Sequence, residues 1–112
     1  MSAITTHVLD TSCGRPASGL RIELQVRSGA DWKTLGVGVT DENGRCGALM
    51  GDAKLQGGGY RLIFDAGSYY RGRNTETFYS EIPIVFEIVR PDSHYHVPLL
   101  ISPFGYSTYR GS

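Results

Sequence analysis

Apolar and polar residues alternate along much of this chain with a period of two, as they do where successive side chains of a strand face opposite ways. Leu20 to Arg27 shows the pattern most clearly, with Leu20, Ile22, Leu24 and Val26 set against Arg21, Glu23, Gln25 and Arg27. It predicts a strand buried on one side. Ile4 to Asp10 sets Ile4, Thr6 and Val8 against Thr5, His7 and Leu9, so His7 opposes the core face. Glu81 to Arg90 aligns Ile82, Ile84, Phe86 and Ile88, and Pro83 marks it as an edge strand or a strand entrance. From His94 onward, Tyr95, Val97, Leu99 and Ile101 form a core-like face, while His94, His96, Pro98 and Leu100 share the other. That second face mixes imidazoles with apolar groups and points to a covered, polar-rimmed site.

Weaker patterns fill the intervals. Trp32 to Thr40 reads as a strand whose Gly36 and Gly38 permit a bulge or a close backbone approach. Asp41-Glu42-Asn43-Gly44 predicts a tight hairpin turn, with Arg45 at the mouth of a short strand over Cys46 to Met50. The loop from Gly51 to Gly59 is glycine-rich but lacks the Gly-Lys-Ser/Thr ending of a phosphate loop. Tyr60 to Asp65 predicts a strand, Ala66 to Asn74 one or two turns of helix, and Tyr106 to Tyr109 a last short strand. About eight short strands at this spacing suggest an all-β sandwich.

A length of 112 residues bounds the chain to a single domain over 1–112. Eleven basic and eleven acidic residues cancel, leaving no net field to draw nucleic acid or an anionic membrane. The leading segment has no positive n-region or apolar h-region, and no stretch approaches the ~20 apolar residues of a spanning helix, so a cytoplasmic protein is expected. Cys13 and Cys46 then read as free thiols. The half-apolar faces bearing His7 and His96 predict a symmetric oligomer with its site at an interface.

Among polar residues, a lone strand histidine is usually a hydrogen-bonded surface group, but His7 and His96 both project from the face opposite the core. His94-x-His96 supplies two nitrogens on one side of a strand, with no third ligand placed by sequence to complete a metal site. Arg45 after its turn suits bidentate binding of an anionic or carbonyl-rich ligand, or is an exposed turn charge. Tyr109-Arg110-Gly111-Ser112 taken alone is a frayed end. No nucleophile elbow, zinc-protease helix or dinucleotide fingerprint is present, so no cofactor is implied.

Four segments in order, His7-Val8-Leu9-Asp10, Asp41-Glu42-Asn43-Gly44-Arg45, His94-Tyr95-His96-Val97-Pro98-Leu99-Leu100 and Tyr109-Arg110-Gly111-Ser112, resemble the transthyretin-related family, specifically its 5-hydroxyisourate hydrolases. Ile101 departs conservatively from the leucine of that family's Leu-Leu-Leu-Ser-Pro run. The resemblance implies a transthyretin-like β-sandwich of two four-stranded sheets with one short helix, assembled as a homotetramer, a dimer of dimers around a central channel. It implies catalytic roles for His7, Arg45 and His96, substrate contacts from Tyr109, Arg110, Gly111 and Ser112, and no metal. His94 falls outside the reacting set.

The chemistry so implied is hydrolysis of 5-hydroxyisourate, in urate catabolism, by water attack on a ring carbonyl and cleavage of a C–N bond. A neutral imidazole with a pKa near ~6.5 is a suitable base for water. His96 takes that role with His7 as partner or proton shuttle, and the two are exchangeable at this level. Nucleophilic catalysis by Ser112 or Cys46 ranks below direct water attack, since neither has a base beside it in sequence. Two other readings are a small-ligand carrier, which binds without turnover, and a structural β-sandwich module, which does neither.

Overall fold

The computed structural model describes residues 3–51 and 53–112. Met1, Ser2 and Asp52, which the sequence puts in the leading segment and the glycine-rich loop, lie outside the described residues. The elements in order are β1 (Ile4–Asp10), β2 (Arg15–Pro16), β3 (Arg21–Ser28), β4 (Asp31–Val39), β5 (Arg45–Cys46), β6 (Gly58–Phe64), α1 (Ala66–Arg71), β7 (Ile82–Ile88), β8 (Tyr95–Ser102) and β9 (Gly105–Thr108).

They form two facing sheets. In the first, β8 runs between a parallel β1 and an antiparallel β9. The far edge of β1 is paired by β5 at Thr6 and His7 and by β2 at Leu9 and Asp10, so two short segments share the fourth strand position. The second sheet is antiparallel in the order β4-β3-β6-β7, which places Pro83 on an edge strand, where its missing N–H removes no inner ladder bond. The expected two four-stranded sheets with one short helix are therefore present.

The alternation read from the sequence decides which side chains meet between the sheets. Ile4, Val8, Leu99 and Ile101 of the first pack against Ile22, Leu24, Leu62, Phe64 and Ile82 of the second, all fully buried or nearly so. Removing such a side chain from water contributes ~1.5–3 kcal/mol each, which fixes which face of β1 and β8 turns outward. Thr6 is buried among them because its hydroxyl donates to the Val97 carbonyl at 2.6 Å.

Asp10 ends β1 inside the protein, accepting hydrogen bonds from the phenols of Tyr69 (2.9 Å) and Tyr70 (3.0 Å) on α1. Burial pushes its pKa up, but bonds from Ser12, Tyr69 and Tyr70 outweigh that and hold it below the ordinary value. The helix starts at Asp65, whose carboxylate caps the Ser68 N–H at 3.0 Å. It stops at Arg71, short of the predicted Asn74, where the chain enters a left-handed turn at φ +54.

Two expectations require correction. The turn at Asp41–Gly44 is tight, with the Asp41 carboxylate accepting from the N–H groups of Asn43 and Arg45 and with Gly44 at φ +76, but it is not a hairpin. It carries the chain from β4 in one sheet to β5 in the other. The strand expected over Cys46 to Met50 is only Arg45–Cys46, because from Gly47 the chain leaves β1 and Leu49 turns into the core. The glycines of β4 make room for that crossing: a Cβ at Gly36 would overlap the Leu49 carbonyl, and one at Gly38 would lie 2.6 Å from the Cys46 sulfur.

Candidate functional site

Cross-strand partners share a face, so the register of three strands places the site. Parallel pairing of β1 with β8 sets Thr5 beside His96 and His7 beside Pro98. β5 adds Arg45 opposite His7 on the other edge of β1. Beyond β9, the last residues continue in the register that pairs Thr108 with Leu99, so Gly111 bridges His96 and donates its N–H to the His96 carbonyl at 2.8 Å. Two adjoining rows result on the outer face: Thr5, His96, Gly111 and Arg45, His7, Pro98.

Thr5, Arg45, Gly47, His94, His96 and Ser112 line a cleft of about 340 Å³ at these rows. His7 stands one row along and is not part of the cleft wall. Gly111 lies against the His96 ring so closely that a Cβ there would come 2.6 Å from Cδ2. Tyr109 is 62% exposed and borders a different groove, beside β7. Arg110 borders the same groove, its guanidinium 4.4 Å over the ring of buried Tyr95. Of the seven residues implied by the resemblance, three line the cleft (Arg45, His96, Ser112), two border it (His7, Gly111) and two face elsewhere.

Electrostatics favour a neutral imidazole. Burial lowers the pKa of His96 first, and the charge of Arg45, then His94 and His7, lowers it further. Arg45 is exposed and, among the described residues, has no salt bridge to a carboxylate, which leaves its guanidinium available to an anionic oxygen. Burial pushes the Cys46 thiol up, so its nucleophilic thiolate is scarce. Among the described residues no hydrogen bond joins Ser112 to a base, and no three potential ligands cluster to hold a metal.

A sequence profile of the HIUase/Transthyretin family matches residues 4–111. The chain belongs to that family. It is 48% identical over 114 residues to the 5-hydroxyisourate hydrolase of Mesorhizobium japonicum, an alignment covering 97% of this chain and 91% of that protein. The structure of Klebsiella pneumoniae 5-hydroxyisourate hydrolase is similar to it with a TM-score of 0.87 at 37% identity, over 100% of both chains. Sea bream transthyretin, solved in complex with thyroxine, has a TM-score of 0.90 at 28% identity, covering 97% of this chain and 94% of that one.

Within this HIUase/transthyretin fold, sequence reasoning passed over Thr5, and it set His94 apart although His94 stands in the cleft wall. The Thr5 hydroxyl lies 2.8 Å from Nδ1 of His96 and 3.1 Å from Nε2 of His94. The period of two already put Thr5 on the face of His7, and His94 on that of His96. What the pattern lacked was the pairing of two strands some ninety residues apart.

Proposed function

We propose that this protein hydrolyses 5-hydroxyisourate to 2-oxo-4-hydroxy-4-carboxy-5-ureidoimidazoline in urate catabolism, as a single-domain cytoplasmic enzyme. The observation that carries the reading is one cleft holding an imidazole, His96, whose pKa burial lowers, beside the guanidinium of Arg45, which has no salt bridge among the described residues, in a chain whose family includes 5-hydroxyisourate hydrolases.

His96 takes a proton from water as the water oxygen bonds to a ring carbonyl carbon and the C=O π pair moves onto oxygen. Arg45 binds that oxyanion, a contribution of about 3 kcal/mol when the donors are well placed. As the tetrahedral centre collapses, the C–N bond breaks and the leaving ring nitrogen takes a proton, from His96 or through His7 as shuttle. Atoms balance as the addition of one water, with no cofactor or metal in the scheme. Ser112 and Gly111 shape the open end of the cleft, while Tyr109 and Arg110 hold the tail from its other side.

Arg45, His94 and Ser112 all lie exposed on the sheet face, a geometry that suits closure by a second subunit in a dimer of dimers. A water-excluding cover strengthens each electrostatic contact inside. The test generates 5-hydroxyisourate in situ with urate oxidase and follows its ultraviolet absorbance with the protein, with a His96→Asn variant and with neither. Faster decay with the unmodified protein alone is expected. Equal decay in all three overturns the reading in favour of a carrier, which saturates with ligand without turnover.

A further inference from the structure

Thr5 stands between two imidazoles, and this contact is directional. A hydroxyl has one proton, so Thr5 can donate to His96 Nδ1 or to His94 Nε2 but not to both, and it must accept from the other ring. If Thr5 donates to His96, the neutral ring carries its proton on Nε2 and has no lone pair left for a substrate water. If His96 Nδ1–H donates to Thr5, and Thr5 in turn to His94 Nε2, then Nε2 of His96 is bare.

Two features favour the second arrangement. Arg45 shares the cleft wall with His96, and its positive guanidinium favours a bare ring nitrogen over an N–H on the side of the ring turned from Thr5. His94 is exposed, so the proton it must then carry on Nδ1 is met by solvent. The opposite edge of the His96 ring, at Cδ2 beside Nε2, faces Gly111, which leads to Ser112 in the cleft wall.

We infer that Thr5 and His94 are positioning residues, a hydroxyl relay that fixes His96 as its Nδ1–H tautomer and leaves Nε2 as the base. The catalytic consequence rests on the proposed hydrolysis; the tautomer does not.

The test is long-range ¹H–¹⁵N spectroscopy of the full chain labelled at histidine, about two pH units above the ordinary histidine pKa. The unmodified protein is expected to show His96 protonated on Nδ1. Thr5→Val keeps the size of the side chain but cannot accept, and its His96 is expected to shift towards the Nε2–H form, with Thr5→Ser restoring the original signal. His94→Phe, which removes the relay's acceptor, gives a mixture of the two tautomers. In parallel, kcat of Thr5→Val falls about 100-fold with KM little changed, and Thr5→Ser recovers it. An Nε2–H tautomer in the unmodified protein, an unchanged tautomer in Thr5→Val, or a switched tautomer with undiminished kcat each overturns the inference. If the unmodified protein has no hydrolase activity, the function fails while the spectra still decide the tautomer lock.

Discussion

Gly111→Ala separates what the tail does for the site from what it does for the fold. A Cβ at position 111 would lie 2.6 Å from Cδ2 of His96 and 3.2 Å from both its Cγ and the Cγ of Pro98. Ordinary contact begins at 3.4 Å, so ring and tail must part by about 0.8 Å. The imidazole cannot absorb this freely, because β8 is held on both sides by β1 and β9 and the ring is tied to Thr5. The tail, held at Gly111 by one backbone hydrogen bond, gives way instead. Either movement shifts His96 relative to Ser112 by close to an ångström, and a displacement of about 1 Å in a catalytic constellation costs ~10²-fold. The stability cost is far smaller: about 1 kcal/mol for one hydrogen bond at an exposed edge, or a few degrees of melting temperature.

Steady-state decay of 5-hydroxyisourate absorbance and a thermal melt of the same preparation together check the reasoning. The expected outcome is kcat/KM lower by about 100-fold with a melting temperature within ~5 °C of the unmodified protein. Activity within two- or three-fold of the unmodified enzyme would refute the claim that Gly111 is glycine because of the imidazole. A collapsed melting temperature would refute the separation of site from fold.

Two further outcomes follow from the charges. Burial, and after it Arg45, holds His96 below the ordinary histidine pKa, so the acid limb of kcat/KM lies below about pH 6.5; Arg45→Gln removes a repelling charge, raises the His96 pKa and moves that limb to higher pH. An unmoved limb in the pH–rate profile shows that Arg45 does not act on His96. The Asp10 carboxylate, depressed in the fold, contributes stability above its ordinary value of 3.8 that is lost as pH falls through the folded value. Asp10→Asn destabilises the protein by roughly 2–3 kcal/mol at neutral pH and flattens the acid dependence of its urea midpoint, and parallel curves for the two proteins would exclude this linkage.

The strands with clean alternation were legible because burial and period agree: the inner residues of β1, β3, β7 and β8 are those the pattern picked out. The same logic put His7 and His96 outward. Tertiary pairing defeated it elsewhere. Asp10 interrupts an apolar face, and its buried charge makes sense only beside the phenols of Tyr69 and Tyr70, far along the chain. The turn at Asn43-Gly44 has hairpin chemistry, yet Gly36 and Gly38 let the next segment cross to the other sheet, a packing event with no local signature. Tyr109-Arg110-Gly111-Ser112 seemed to act as one unit, but Tyr109 and Arg110 border the groove beside β7, with Arg110 over Tyr95, while Gly111 lies against His96 and Ser112 lines the cleft.

The site is therefore a property of register more than of composition. Side chains on a strand repeat every two residues, so a one-residue slip of β8 against β1 would bury His96 and expose Val97. Two hydroxyls pin that register, Thr6 donating to the Val97 carbonyl and Thr11 to that of Ile101, and Thr108 donates to that of Pro98 to hold β9 against β8. All three acceptors lie on β8, whose inner face carries the core, so packing on that face aligns imidazole and tail on the outer one. A fold shared at a TM-score of 0.90 with a thyroxine-bound transthyretin does not decide between carrier and hydrolase. What decides is whether the outer row offers a base, and here Thr5, His96 and Gly111 fall on one line.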